Sequence, residues 1–553
     1  MFSKKVIAGV LLPVALLAQQ QNLVKSKDPE PAPFFPKGSY FRYVMQKPKL
    51  QIDLKDPIKL RDFIVNGKLE LSLRSYFDLV LANNTNIQIS RLTIDTARNA
   101  ITRSFSAFDP LATANFNATR RLQPTTDQLQ GADILSTLAQ PLNLGYQQTL
   151  MSGTQFNLGY GGGKNTTNST FTTFNPSYNS NLQFGVVQPL LRGRGAFINK
   201  LPVTIARSRL RQTEYSLRDT LIQILTQAEQ VYWRGVELRE SLRVQEKALE
   251  LAEAFLKRSQ RELELGAISR LDIYQPEFQY AQAQATVTQV RYQVLQQDDA
   301  IRRQIGADLD PDVRTLPLIL TEDAAPPQDQ ATIDAEAAVQ RALIARPDLR
   351  AAAQQLDVDD LQIHQTVNAL KPDLSLTGGY TTQGIGGTNL IKNGNEVVSV
   401  IPGGIGDSLY QMFGFGFPIY QFGVRLRLPI RDRLAQANYA DALVNKKRDA
   451  LVVRNTEQQV RLDVLNAVNQ VESSKQGVAL ALKSREFAQK RLDAEQRKYE
   501  LGTSQIFLVL QAQTDLINAD SQVVGQSVNY RRNMLNLLRM TGELLDQRGV
   551  ILD

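Results

Sequence analysis

The chain has few side chains of the types that perform chemistry. His364 is the only histidine among 553 residues and there is no cysteine, which excludes a histidine-based catalytic triad and a metal site built from several His or Cys ligands. Residues 161–164 read Gly-Gly-Gly-Lys, but Leu158 stands where a phosphate-binding loop has its first glycine, and Asn165 stands where it has Ser or Thr. We therefore expect no catalytic residue, no cofactor and no enzymatic activity, and interpret His364 as a packing or surface residue.

Composition narrows the class of protein further. The absence of cysteine also excludes a disulfide scaffold and a lipid-modified N-terminal cysteine. The net charge of +8 suggests an anionic partner at first sight. However, Lys and Arg are interleaved with Asp and Glu and form no basic block, which is typical of solvated helix faces. We expect no nucleic-acid partner.

The chain contains two copies of one unit. In the first part of the unit Pro110 recurs as Pro372, displaced by 262 positions, and in the second part Gly266 recurs as Gly502, displaced by 236. A unit of roughly 240 residues is far longer than a solenoid repeat. The duplication predicts two similar halves that lie side by side and contribute equally to one wall.

The segments flanking the two copies have distinct compositions. Lys4 and Lys5 precede an apolar run over residues 6–18, which is shorter than the roughly 20 residues of a transmembrane helix and predicts an export signal, with an interfacial anchor as the alternative. The predicted organisation is a signal peptide (1–18), a Pro/Lys-rich N-terminal extension (19–68), a first helix-strand-helix repeat (69–309), a linker (310–332), a second repeat (333–545) and a C-terminal tail (546–553).

Each repeat contains one very long predicted helix. Residues 199–265 predict a helix of about 65 residues, or about 100 Å, and residues 434–500 predict its counterpart. No single globular core covers such a length, so these helices must lie against other long helices. Their small residues on two faces, with polar residues between, favour a sheet of helices closed into a tube. Gly266 and Gly502 end them, as expected where a helix C-terminus needs φ > 0.

The segments between these helices predict strands. Residues 180–186 alternate between polar and apolar side chains, as a strand with lipid on one side and water on the other requires. Aromatic residues cluster in both halves. Arginines just beyond the strand ends are placed to reach headgroups or water, namely Arg192, Arg194, Arg431 and Arg433. The alternative is an ordinary soluble β-domain with loop arginines.

Taken together, order, spacing and duplication resemble the TolC-like outer membrane efflux protein family over residues 69–545. The residues that carry the resemblance are the segments 261–266 (Arg-Glu-Leu-Glu-Leu-Gly) and 498–502 (Lys-Tyr-Glu-Leu-Gly), Val231-Tyr232-Trp233, Arg346-Pro347-Asp348-Leu349, Gln188-Pro189 and Leu428-Pro429. The resemblance implies a mainly α fold with membrane β-structure. It implies a homotrimer in which each chain gives four strands to a 12-stranded outer-membrane β-barrel, continued by a long periplasmic α-helical barrel.

The same resemblance implies where the functional residues lie. The helix tips, with Leu265, Gly266, Leu501 and Gly502, are expected to dock a periplasmic adaptor protein. The periplasmic mouth is expected at Asp272, Ser504, Leu508 and Gln511, so that Asp272 is the single carboxylate there. For Asp272 a simple helix-start role is the alternative.

One departure from the family pattern concerns the strands. The strand region of the first half is 23 residues longer than that of the second (262 − 239). The extra length predicts either an additional hairpin around residues 145–163 or a long external loop.

The function implied is a passive exit duct in the outer membrane, in contact with its lipid. An inner-membrane transporter would energise it through the adaptor. Small-molecule efflux and type I protein secretion stay open as alternatives. A soluble periplasmic coiled-coil structural or adaptor protein is the alternative from another class.

Overall fold

The computed structural model describes residues 57–125, 131–266, 268–324, 333–393 and 396–550. The predicted signal peptide lies outside the described residues, as do positions 19–56 of the extension, 325–332 of the linker and 551–553 of the tail.

Most of the described chain is helical. The helices are α1 Leu73–Asn83, α2 Thr85–Phe105, α3 Ala196–Asn199, α4 Leu201–Glu264, α5 Tyr274–Ile305, α6 Ala335–Ala345, α7 Pro347–Ala369, α8 Ile405–Phe413, α9 Arg433–Glu500, α10 Ile506–Thr541 and α11 Leu544–Gln547, with 3-10 turns at Leu60–Phe63 and Ser106–Phe108. In the part of the chain that the structure describes, none of these helices is both long enough and apolar enough to cross a membrane.

The strands form two sheets. They are β1 Ile64–Val65, β2 Lys68–Leu71, β3 Leu111–Phe116, β4 Thr119–Pro124, β5 Ile134–Thr149, β6 Gln155–Thr167, β7 Phe174–Pro189, β8 Leu318–Leu320, β9 Asp373–Asn393, β10 Glu396–Ile401 and β11 Pro418–Arg427.

The two long helices are present as predicted. α4 has 64 residues and α9 has 68, so each is about 100 Å long. Pro202 lies in the first turn of α4, where its missing N–H costs nothing. Asp432 is the N-cap of α9, and its side chain accepts a hydrogen bond of 2.9 Å from the N–H of Ala435.

The shorter helices recur at displaced positions. α1 ends at Asn83 and α6 ends at Ala345, a displacement of 262 (345 − 83). The second helix of each pair begins differently, because the Asn84 side chain caps α2 whereas Pro347 opens α7. The same interruption is therefore built from different residues in the two halves.

The helices of one chain pack as four columns. α4 contacts α2 along its N-terminal part and α5 along its C-terminal part. α9 likewise contacts α7 first and α10 further along. α7 and α10 also pack against α4 and so fill the column between the two long helices. The order across the wall is α2 with α5, then α4, then α7 with α10, then α9.

A buried apolar core lies partway along the wall of helices, between its two ends. Strands β1, β2 and β8 form a three-stranded sheet over Tyr76, Tyr232 and Trp233. The Tyr232 hydroxyl donates to the carbonyl of Leu71 at 3.0 Å, and the Tyr76 hydroxyl donates to that of Ala228 at 3.2 Å. Part of the predicted linker belongs to this core, because β8 pairs in parallel with β2.

The large sheet is six strands wide and antiparallel, and we call each of these six positions a strand path. The first path consists of β3 and β4 lying end to end along β5. The paths β5, β6, β7 and β9 follow, and the last consists of β11 and β10 lying end to end along β9. The sheet of one chain therefore has two more paths than the four strands per chain that the resemblance implies. The extra residues of the first half form a hairpin, the first of the two alternatives, in which β5 and β6 pair over thirteen residue pairs from Thr149↔Gln155 to Thr137↔Thr167.

Candidate functional site

The first helix tip, residues 258–278, reverses the chain between α4 and α5. Gly266 has a φ of +73°, and its N–H donates to the carbonyl of Leu263 at 3.0 Å. Nothing lies within 4 Å of the position of a Cβ on Gly266, so the turn needs glycine for backbone conformation rather than for space.

The second helix tip, residues 495–511, reverses the chain between α9 and α10 in the same way. Gly502 has a φ of +72°, and the next N–H, that of Thr503, donates to the carbonyl of Lys498 at 2.9 Å. Ser504 donates from its hydroxyl to Glu495 at 2.7 Å, and Lys498 donates to the same carboxylate at 2.7 Å. These two bonds, with Lys498 first, hold the pKa of Glu495 below its ordinary value.

A three-residue cluster joins the two tips. The Tyr499 hydroxyl donates to Glu262 Oε2 at 2.9 Å, and Arg258 Nε donates to Glu262 Oε1 at 2.9 Å. The Arg258 guanidinium also lies 5.4 Å from the centroid of the Tyr499 ring. Burial first, and then the bond to Glu262, raises the pKa of the Tyr499 hydroxyl. The cluster fixes the end of α9 to the end of α4.

The two tips also expose large apolar side chains. Leu265 is 83% exposed, Leu271 is 77% exposed and Leu501 is 78% exposed. We call these three residues, which lie at the ends of the two hairpins, the tip leucines. Exposed apolar side chains that form one contiguous patch mark sites of protein contact.

The predicted mouth residues have different surroundings. Asp272 is exposed, and its carboxylate accepts a hydrogen bond of 3.1 Å from the N–H of Ser269, two residues before α5 begins. That contact fits the helix-start alternative, while leaving one carboxylate oxygen toward solvent. Ser504 is bonded to Glu495 within its own hairpin, and Leu508 and Gln511 are exposed on α10.

Sequence reasoning missed the cluster that joins the tips. Glu262 and Tyr499 both lie in the segments that carried the family resemblance, but no role followed from the pattern. Their side chains meet across 237 positions of the chain. The detectable signal was a tyrosine three residues before Gly502 and a carboxylate four residues before Gly266, which places both side chains about one helical turn from their glycines.

The large sheet has two chemically different faces. Residues paired directly opposite one another on neighbouring strands form rows across the sheet. Successive rows alternate between apolar and polar side chains, which confirms the alternation predicted at residues 180–186. One row is Tyr146, Leu158, Phe184, Tyr380 and Tyr420, and the adjacent row on the other face is Gln147, Asn157, Gly185, Gly379 and Gln421.

Helix α8 lies on the apolar face of this sheet. Ser408 is fully buried there and donates to the carbonyl of Gly384 at 2.9 Å. A Cβ on Gly384 would overlap the carbonyl oxygen of Ser408, so this close approach requires glycine. The opposite side of α8 exposes Tyr410 and Phe413.

The predicted boundary arginines lie where strands pass into helices. Arg192 and Arg194 follow the end of β7 and are exposed, as are Arg431 after β11 and Arg433 at the start of α9. The structure thus brings them to equivalent junctions in the two repeats. Their contact with a membrane boundary stays a prediction.

The other candidates from the sequence are structural. His364 packs edge-on against Phe197, with ring centroids 5.7 Å apart. Across the described ranges, no group of three or more His, Cys, Asp or Glu side chains is arranged to hold a metal ion.

Comparisons with known proteins agree with this geometry. The family model described as "Outer membrane efflux protein" matches residues 153–307 and 338–543. The chain is 30% identical over 136 residues to the outer membrane protein TolC of Escherichia coli strain K12, an alignment covering 24% of this chain and only 25% of that relative's length.

Solved structures resemble the chain over most of its length. A membrane protein from Pseudomonas aeruginosa is 19% identical with a TM-score of 0.60, covering 88% of this chain and 93% of that one. The CmeC outer membrane channel of Campylobacter jejuni is 14% identical with a TM-score of 0.59, covering 90% of each chain. At these identities the likeness concerns the fold.

Proposed function

The chain belongs to the outer membrane efflux protein family, and we propose that it is the passive exit duct of a tripartite efflux or type I secretion system. Membership places the protein in the cell outer membrane, with a large periplasmic part. The observation that carries the proposal is the combination, in one chain, of a two-faced antiparallel sheet and helices of 64 and 68 residues.

The sheet supplies the membrane-spanning part of the duct. Its apolar face, with the row from Tyr146 to Tyr420, would lie against outer-membrane lipid, and its Asn- and Gln-bearing face would line the water-filled lumen. In this orientation Arg192, Arg194, Arg431 and Arg433 extend toward headgroups at the periplasmic boundary.

The helical wall supplies the periplasmic part. A homotrimer of chains that each contribute four helix columns closes a tube of twelve columns. Symmetric rings of this type leave no open side on the wall. The tube would end at the helix tips, with Asp272, Ser504, Leu508 and Gln511 around its mouth.

The tip leucines are the proposed docking surface for a periplasmic adaptor. Leu265 and Leu501 stand beside Gly266 and Gly502 at equivalent places in the two repeats, so one adaptor surface could engage both tips. In this proposal the energy for transport comes from an inner-membrane transporter that is coupled to the duct through this adaptor.

The alternative of a soluble periplasmic coiled-coil protein is disfavoured by the sheet, whose apolar face has no counterpart in such a protein. Cell fractionation tests the proposal directly. We expect the protein in outer membranes, extracted only by detergent, as a trimer whose gel mobility changes on heating. A monomer found free in periplasmic extract would contradict it.

A further inference from the structure

The six strand paths of one chain leave two open edges. One edge consists of β3 and β4, which pair only with β5 among the described residues, and the other consists of β11 and β10, which pair only with β9. Every residue of β3, β4 and β10 is exposed, as are nine of the ten residues of β11. Open edges of this length must be covered, because unpaired strands recruit other chains.

The described residues of one chain do not close this sheet on itself. No pairing joins β3 or β4 to β10 or β11 in the described structure. A closed barrel of six strands would also have to fill its interior with packed side chains. The face available for that interior carries Gln147, Asn157 and Gln421, with Gly185 and Gly379 between them, which suits a wetted wall and not a core.

The two open edges are complementary in direction. β3 follows helix α2 and β11 leads into helix α9, so these two strands lie at the end of the sheet nearest the helices. Their companions on the same edges, β4 and β10, lie at the opposite end of the sheet. Since the six paths alternate in direction, the first and the last run in opposite directions. The last path of one chain can therefore pair with the first path of the next chain and continue the antiparallel order.

The two edges also agree in which face is apolar. On β3 the side chains of Ala112, Ala114 and Phe116 share the apolar face with Tyr146 and Leu144, as the register shows. On β11 that face carries Tyr420, Phe422, Val424 and Leu426. Tyr420 pairs with Tyr380, which belongs to the apolar row described above. Pairing the edges would therefore make the apolar surface continuous from chain to chain.

We propose that three copies of this chain join β3/β4 to β11/β10 and close an eighteen-stranded barrel. The occupant of each open edge is thus a second copy of the same chain. The inference rests on the proposed trimeric duct. Because barrel diameter grows roughly linearly with strand number, this barrel would be about 1.5-fold wider than one with four strands per chain.

Pairwise cysteine crosslinking tests this arrangement in the full-length protein, which has no native cysteine. Ala112→Cys or Ala114→Cys on β3 is combined in turn with Phe422→Cys or Val424→Cys on β11, and membranes are treated with an oxidant. Each partner position is exposed or nearly so, and single-cysteine variants are the background. The matched control places the first cysteine at Leu158→Cys on β6, the strand that would form the edge if β3, β4 and β5 were excluded and each chain gave four strand paths to the barrel.

We expect at least one β3–β11 pair to give a covalent trimer that reductant abolishes. It should be at least tenfold more abundant than in the single-cysteine variants, and Leu158→Cys should give no linkage.

Linkage from β6 but not β3 would overturn the eighteen-stranded barrel. A covalent dimer as the largest product would overturn it too, since two chains give twelve strands. No linkage in a protein that still runs as an unheated trimer would overturn the barrel while leaving the duct intact. No linkage in a protein that is monomeric would refute the trimeric duct itself.

Discussion

The hydroxyl of Tyr499 donates a 2.9 Å hydrogen bond to Glu262, so the ends of the two longest helices are joined at the point where both hairpins turn. Glu262 is held in place in turn by Arg258, one helical turn earlier. The position of one tip is therefore coupled to that of the other.

Removing this hydroxyl should loosen the tips. In Tyr499→Phe the ring and its contact with Arg258 remain, while a hydrogen bond to a charged group is lost, at a cost of about 1 kcal/mol per chain for a partly exposed site. We expect a larger ion conductance in reconstituted bilayers, with unchanged trimer content. Tyr274→Phe, at an exposed tyrosine of the first tip, is the matched control. Equal conductance of Tyr499→Phe and the parent protein would show that the bond does not restrain the mouth.

Valine at the tip glycines should impair adaptor engagement. Gly266→Val and Gly502→Val place a β-branched residue at φ values of +73° and +72°, which costs about 1–3 kcal/mol of strain and shifts the tip leucines. Export and adaptor crosslinking should both fall while barrel assembly is unchanged. Gly525→Val is the control, since that helical glycine has an ordinary φ and open space around it. Normal crosslinking and export in both tip variants would remove the tips from the docking surface.

The charge of Asp272 should set the ion selectivity of the mouth. Asp272→Asn keeps an oxygen that can accept from the Ser269 N–H, so it changes charge with little change in the turn. In a trimer three carboxylates attract cations. An exposed carboxylate contributes at most about 1 kcal/mol, so the cation-to-anion permeability ratio should fall by up to about fivefold. Reversal potentials measured over several salt concentrations give this ratio; identical values for both proteins would assign Asp272 to a helix-start role alone.

The buried ion pair between Glu229 and Arg548 should make stability depend on pH. Glu229 is 1% exposed and accepts hydrogen bonds from Arg548 at 2.6 Å and from Trp233 at 3.1 Å. Burial raises the pKa of Glu229, and Arg548 opposes this shift. Arg548→Gln removes the opposing cation, so the pKa should rise further.

A carboxyl whose pKa is raised by folding contributes stability that is present at low pH and is lost as pH rises through the folded-state pKa. The deficit of Arg548→Gln relative to the parent should therefore be small near pH 4 and reach about 3 kcal/mol at pH 7. Thermal unfolding followed by circular dichroism across this range measures it. Adding Glu229→Gln should abolish the pH dependence; a deficit equal at all pH values would mean that Arg548 acts through packing.

Several features were determined by the sequence itself, because they depend on local geometry. Helix periodicity predicted α4 and α9 nearly to their ends, and the need for φ > 0 located the turns at Gly266 and Gly502. Period-two alternation assigned the two faces of β7, and the fixed displacement between repeats revealed the duplication.

Only the tertiary structure decided which distant segments pair. The extra 23 residues of the first half were compatible with a loop or a hairpin, because their local pattern is that of any strand, and only the register of β5 with β6 adds two paths to the sheet. Likewise β8 left the predicted linker to pair with β2, and Tyr499 met Glu262 across 237 positions. Such contacts depend on how the whole chain closes its loops, and propensity and spacing along the sequence do not encode that.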